Sequence, residues 1–409
     1  MLGLYLTHSV VLSSDSVNNH VHVWYIADDI WHNGQLPWAM PVLAHGEAYA
    51  YPYGFVNWTT ASLAWPLFGD WTVTLWTVVG VVGCIVATFV AFPELRRGWW
   101  AAAALANPAL IEALLFGQQS FAWGAALLLF GIAAWRRGHR GWAAVLVGIG
   151  AATHPAVVLP ISLVVVLLYL PFTKDRGALL RWYALSCVMA IPAALLVLFS
   201  PTITATSTYQ KNLNFWITLG PRVLIVVLPL FYTVLQYKKV RAYAPAALAI
   251  SLAFNLMFHG WLNVQQQVDA LTRWDADTTS LDRFIDSPEF VEGATYRVLR
   301  AEDGKLGLYH VVRGGGRLDA ELFPESMAIE SFDGPVEYAR ELCERDVEFV
   351  LHFDSYDRVR ETNEGALLEQ MASDPDAPLA VTRVADLGDG RVYAIDLAGC
   401  AAVPDTPHS

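Results

Sequence analysis

The chain has 409 residues, of which 55% are hydrophobic and only 16% charged, and its mean hydropathy is +0.39. A soluble domain carries roughly 25% charged residues, so this composition excludes intrinsic disorder and argues against a single soluble globule. The net charge of −12 conceals a split: residues 1–261 hold 13 Lys/Arg and 8 Asp/Glu, whereas residues 262–409 hold 13 and 30, so a mildly basic apolar part precedes an acidic part that argues against a nucleic-acid partner.

Residues 1–13 are apolar but too short to span a bilayer, and no Lys or Arg occurs before Arg96. The expectation is a first helix that begins upstream, followed by an outer loop over 14–53. Segment 54–68 is short, apolar and Trp-rich, which suits a helix lying in the membrane interface. A bilayer core of about 30 Å at 1.5 Å per residue requires roughly 17–25 apolar residues. Segments 71–92, 98–116, 119–135, 182–199, 217–237 and 242–260 meet or approach that length, and 141–171 is interrupted by His154-Pro155. The basic loops at Arg96-Arg97, 136–140, 174–176 and 238–241 fall on one side only if 141–171 crosses twice. That gives eight full or short crossings. Gln118, His154, loop 200–216 and everything after His259 then lie on the outer face.

Residues 262–409 alternate strand-like and helix-like patterns. Strands are expected at 296–300, 308–312, 347–353 and 391–397, and an amphipathic helix at 335–345. The fold class read from this is an α-helical polytopic membrane domain over 1–261 followed by a small α/β extracytoplasmic domain over 262–409. Cys84 and Cys187 fall in membrane helices as core residues. Cys343 and Cys400 are available for one disulfide outside the cell, although no spacing signature marks them.

The outer loop carries Asp15, Asp28, Asp29 and Glu47, half of the acidic residues of the apolar part, together with His20, His22, His32 and His45. No Lys or Arg balances them within the loop. Uncompensated acid at an apolar surface is costly unless it faces water, a cation or a reacting hydroxyl. The functional reading is a general base, with or without a divalent metal. The plainer one is a hydrated loop in which Asp15 caps a helix and Asp28-Asp29 form its wet face. Glu112, in an expected span, has no assigned role, and "RGGGR" at 313–317 reads as a turn.

The run "SSDSVNNHVHVWYIADDIWHNGQLPWAMPVLAHGEAYAYPYGFVNW" resembles the first outer loop of GT-C membrane glycosyltransferases. The matching positions are Asp15, His20 or His22, the Gly34-to-Trp38 turn and Tyr51-Pro52-Tyr53. "ANPALIEALLFGQQSFAW" and "GIGAATHPAVVLP" are similar to further segments of polyprenyl-phosphate-dependent members, with His154 where many relatives have Lys. Two departures are that the first helix is clipped and that Asp15 is followed by Ser16 rather than Glu. The resemblance implies an integral plasma-membrane enzyme that moves a sugar from a polyprenyl-phosphate donor to a hydroxyl of a glycan, lipid or protein, with inversion. Asp15 would be the general base. Lys211 and Arg222 would hold the leaving phosphate, and His20, His22, Asp28, Asp29, Gln118 and His154 would bind substrate. The rival readings are a polytopic transporter, kept open by Glu112 and the broken 141–171 segment, and a non-catalytic membrane protein that presents its outer domain to a partner.

Overall fold

The computed structural model describes residues 16–46, 48–51, 54–96, 101, 105, 110, 113–114, 117–198, 274–299, 305–320, 331–354, 362–388 and 390–404. The chain divides into two compact units. The first comprises Met1–Val11, His22–Leu36 and Tyr51–Gln267; the second comprises Leu12–Val21, Pro37–Ala50 and Val268–Ser409. Helix α1 (Ser16–Asp28) begins among residues of the second unit and ends among those of the first.

The first unit is helical: α2 (Phe55–Phe68), α3 (Trp71–Ala91), α4 (Gln119–Arg136), α5 (Arg140–Thr153), α6 (Pro155–Tyr169) and α7 (Arg176–Leu198). Glycine and alanine bring these helices together. A Cβ on Gly124 would stand 3.3 Å from the Gly150 carbonyl oxygen, and one on Gly148 would meet Met189 Cβ at 2.9 Å. Small residues let helix backbones approach where no side chain could be accommodated, which is how helices associate when the surroundings are as apolar as their side chains. Cys84, Ala87, Ala122, Leu129, Ala151 and Ile161 belong to the buried core so formed.

The expected polytopic domain with eight crossings is not what the structure contains. Among the described residues two helices are long and apolar enough to cross a membrane, Trp71–Ala91 and Arg176–Leu196. The physical reason is length and end composition. Segment 141–171 breaks at His154, because a residue before proline is pushed out of the helical region; its φ is −147°. The two pieces, 14 and 15 residues long, rise only about 21–23 Å each. Helix α4 has 18 residues but includes Gln119, Ser120 and Arg136. Expected spans 217–237 and 242–260, and most of 98–116, lie outside the described residues, as does Glu112. The apolar window of α7 is only 22% buried, and Leu185, Val188, Ile191 and Leu195 are exposed along it. That is unlike the core helix of a soluble protein.

The ends of these helices differ in charge. Arg136 pairs with Glu94 at 2.7 Å and Arg140 with Asp175 at 2.8 Å, so the basic turns after α3, α4 and α6 gather at one end. At the other, Trp76 stacks on Trp123 with centroids 5.0 Å apart, and His154 Cβ lies 3.6 Å from the position of a Cβ on Gly124.

The second unit is α/β. Its elements are α8 (Trp274–Ile285), β1 (Thr295–Leu299), α9 (Lys305–Arg313), β2 (Arg317–Leu318), α10 (Pro335–Glu344), β3 (Phe349–Phe353), α11 (Glu364–Ser373), β4 (Val381–Asp386) and β5 (Gly390–Ile395). The strands form one sheet in the order β2-β1-β3-β5-β4. β1 runs parallel to β2 and β3, and β5 antiparallel to β3 and β4. Segment 308–312, expected as a strand, is inside α9. Its Leu308, Tyr309, Val311 and Val312 are buried on the helical spacing, not on alternate positions.

Residues of the expected outer loop belong to this sheet. Leu43 bridges Leu318 in parallel, and the Leu318 N–H donates to the Val42 carbonyl at 2.8 Å. The pairing covers an edge strand that would otherwise present unpaired backbone groups. Cys343 and Cys400 form a disulfide. Arg297 on β1 lies in the interior, held by Glu364 in a two-pronged pair at 2.9 and 3.1 Å and by Asp319 at 2.9 Å. The two carboxylates hold its guanidinium firmly charged against the cost of burial.

Candidate functional site

In the helical unit, the polar groups that interrupt the apolar core gather where α4 begins. Gly117, with φ +63°, turns the chain, and α4 starts at Gln119. Gln118, Gln119 and Ser120 are all buried. Ser120 Oγ accepts a hydrogen bond from Asn57 Nδ2 at 3.2 Å, and Asn57 Oδ1 accepts from Trp76 Nε1 at 3.1 Å. Trp123 Nε1 donates to the Trp76 carbonyl at 2.9 Å. Gly54, with φ +77°, permits this assembly: a Cβ there would meet Ser120 Oγ at 2.8 Å and the Trp58 ring at 3.1 Å.

The chain of hydrogen bonds leaves three amide atoms without partners: Gln118 Oε1, Gln119 Oε1 and Gln119 Nε2. Thr72 Oγ1, one turn before Trp76 on α3, is also buried and unpartnered. An orphaned buried polar atom costs about 1–3 kcal/mol, and several together call for an explanation. Free amide donors and acceptors match the chemistry of a polyhydroxylated ligand, whose hydroxyls take both kinds of hydrogen bond.

His22 is buried and lies flat against Trp58, with centroids 4.3 Å apart and planes 11° from parallel. His154 closes α5 and precedes Pro155 at the helix end where Gln118 is also found. Asp28 pairs with His32 at 2.8 Å on the surface. Asp29 is buried and accepts from Asn33 Nδ2 at 2.6 Å. Burial, with Asp29 and Asp28 nearby, pushes the Tyr25 phenol up to about 12.

His20, only two residues from His22, belongs to the α/β unit. It is fully buried with both ring nitrogens unpartnered, 5.3 Å from the Tyr309 ring. Burial first, and the His310 charge second, lower its pKa to about 3. His310 Nδ1 pairs with Asp282 at 3.1 Å, while its Nε2 is buried and unpartnered. That hydrogen bond holds the Asp282 carboxyl below its ordinary range.

Residues Asp15, Lys211 and Arg222 lie outside the described residues. Of the others expected to bind substrate, Gln118 and His154 share one end of the helical unit, whereas His20 and His22 belong to different units. Asp28 and Asp29 have their own local partners. Among the described residues no group of three or more His, Cys, Asp or Glu is placed to hold a metal ion. Sequence reasoning missed Asn57, Thr72, Gln119 and Ser120. The signal was available, since "GQQS" and Asn57 are polar interruptions within apolar runs. His310 falls within 308–312, which the sequence pattern reads as a strand and which the structure folds as part of α9.

Compared with known families, curated proteins and solved structures, the chain matches none.

Proposed function

We infer that this chain is a membrane-associated glycosyltransferase that moves a sugar from a polyprenyl-phosphate donor to an acceptor hydroxyl. The observation that carries the reading is the cluster of buried, unpartnered amide atoms on Gln118 and Gln119 beside Asn57, Trp76 and Trp123. The outer-loop resemblance supports it, and the reading does not depend on the number of spans.

In this reading Asp15 takes the proton of the acceptor hydroxyl as the bond between the sugar and phosphate breaks, a single displacement with inversion. Lys211 and Arg222 neutralise the departing phosphate. Gln118 and Gln119 orient sugar hydroxyls, and His154 stands at the same helix end. The acceptor is a glycan, a lipid or a protein.

Two helices of spanning length support residence in a membrane. The finer placement is the plasma membrane, with the α/β unit outside the cell. Its Cys343–Cys400 disulfide supports an oxidising compartment, and the basic turns after α3, α4 and α6 suit the cytoplasmic face.

The test is sugar transfer by the purified full chain from a radiolabelled polyprenyl-phosphate sugar to acceptors in membrane extract. Transfer should fall by about a hundredfold to ten-thousandfold with Asp15→Asn, the scale of a lost general base. Undiminished turnover by Asp15→Asn would remove the base assignment, and no transfer from any polyprenyl-linked sugar would remove the function.

A further inference from the structure

Helices α4, α5, α6 and α7 line a partly open cavity of about 230 Å3 within the helical unit. Leu128, Gly131, Val147, Val165 and Trp182 are among its walls. Three of the polar side chains that reach it are committed to backbone carbonyls. Ser162 Oγ donates to the Leu159 carbonyl at 2.8 Å, Tyr183 OH donates to the same carbonyl at 3.3 Å, and Ser186 Oγ donates to the Ala144 carbonyl at 3.0 Å. Most of what faces the space is therefore hydrocarbon and aromatic surface. Predominantly apolar cavities favour apolar ligands over water.

The cavity is at the basic end of the helices, opposite the Gln118 cluster, because Trp135 and Arg136 also line it. Around that end lie Arg136, Arg137, Arg140, Lys174, Arg176 and Arg181. Glu94 neutralises Arg136, and Asp175 neutralises Arg140. Arg181 adds its charge to Arg140 beside the single carboxylate of Asp175, and Arg137, Lys174 and Arg176 form no ion pair among the described residues, so cations outnumber carboxylates at this end. An apolar cavity near a helix end where cations are in excess is complementary to one class of molecule, a chain with an anionic head.

We propose that this cavity holds one acyl chain of an anionic glycerophospholipid, with the lipid phosphate among the basic residues at the helix ends. The lipid fills space between α4 and the α5–α7 layer that the side chains leave empty. It ties the basic turns to one leaflet. The proposal rests on residence in a membrane and not on sugar transfer. It concerns the helix ends opposite those assigned to the sugar.

The experiment uses the purified full chain in detergent with phosphatidylglycerol carrying a photoreactive group near the chain terminus, beside the same probe built on phosphatidylcholine. Adducts should map by peptide mass spectrometry to 128–147 and 162–186, and the anionic probe should be retained about tenfold more than the zwitterionic one. Val165→Trp, which fills the space, should abolish these adducts. Arg137→Gln with Lys174→Gln and Arg181→Gln should narrow the preference for the anionic head. Equal retention of the two probes overturns the proposal. So do adducts confined to the outward residues Val188 and Ile191, or unchanged labelling in Val165→Trp. Displacement of the probe by polyprenyl phosphate but not by unlabelled phosphatidylglycerol would make the occupant the sugar donor and also overturn it. The adduct map on the unsubstituted chain decides the matter even if the variants fold poorly. None of these readouts uses sugar transfer, so failure here and failure of the transferase reading are separate results.

Discussion

His20 gives the α/β unit a defined sensitivity to acid. The ring is fully buried with neither nitrogen hydrogen-bonded, and its pKa falls from 6.5 to about 3. The folded state therefore keeps it neutral in a range where the unfolded chain takes up a proton. Because the folded pKa is the lower one, the unfolded state binds more protons as pH falls, and stability is lost with acid. The loss begins near pH 6.5, accumulates at about 1.4 kcal/mol per pH unit, and levels off near pH 3. At pH 5 it is on the order of 2 kcal/mol. His310, paired with Asp282, is the titratable neighbour that adds to the effect. The perturbation is His20→Phe, which keeps a ring against Tyr309 and removes both orphaned nitrogens. Hydrogen exchange of the β1 and α9 amides, corrected for intrinsic rates, reports opening of this region at each pH. The wild-type chain should lose protection between pH 6.5 and 4.5, while His20→Phe holds it. Parallel pH profiles for the two proteins would refute the argument, because they would show that the ring is paired or hydrated in the folded state.

Three further outcomes are expected. Arg297→Met removes the buried cation shared by Glu364 and Asp319, while Arg345 stays 3.8 Å from Asp319, and should cost about 3–5 kcal/mol in denaturant unfolding of the α/β unit; an unchanged midpoint would mean that water reaches the pair. Replacing Cys343 and Cys400 by alanine opens a link across a sequence separation of 57, worth about 4 kcal/mol of unfolded-state entropy. Reductant should shift the unfolding midpoint of the wild-type protein and leave the variant unmoved. Gln118→Leu with Gln119→Leu removes three orphaned amide atoms, so helix stability should hold or rise in thermal melts, while sugar transfer falls by at least about tenfold; undiminished transfer would detach these amides from the substrate.

Much of the local structure was legible because it depends on near neighbours. The 21 residues of α3 contain no charge and no proline, and they form one helix. The break between α5 and α6 follows from His154-Pro155 alone. Strands β1, β3 and β5 and helix α10 occur where alternation and helical spacing place them. The misreading of 308–312 shows the limit of such rules. "LYHVV" is apolar throughout, so its period is ambiguous, and packing onto the sheet decided for a helix.

The amino-acid order determined by itself that an apolar part precedes an acidic one, where α3 and α4 start and stop, and which few polar residues interrupt them. Only the tertiary structure decided their partners. It assigned His20 and His22 to different units, because one helix can offer side chains a few residues apart to different neighbours. It added Val42 and Leu43 to the edge of a sheet whose nearest strand, β2, begins at Arg317. It joined Cys343 to Cys400 without any spacing signature. Propensity and periodicity act over a turn or two of chain, whereas pairing depends on which surfaces meet, and that is a property of the whole packed unit.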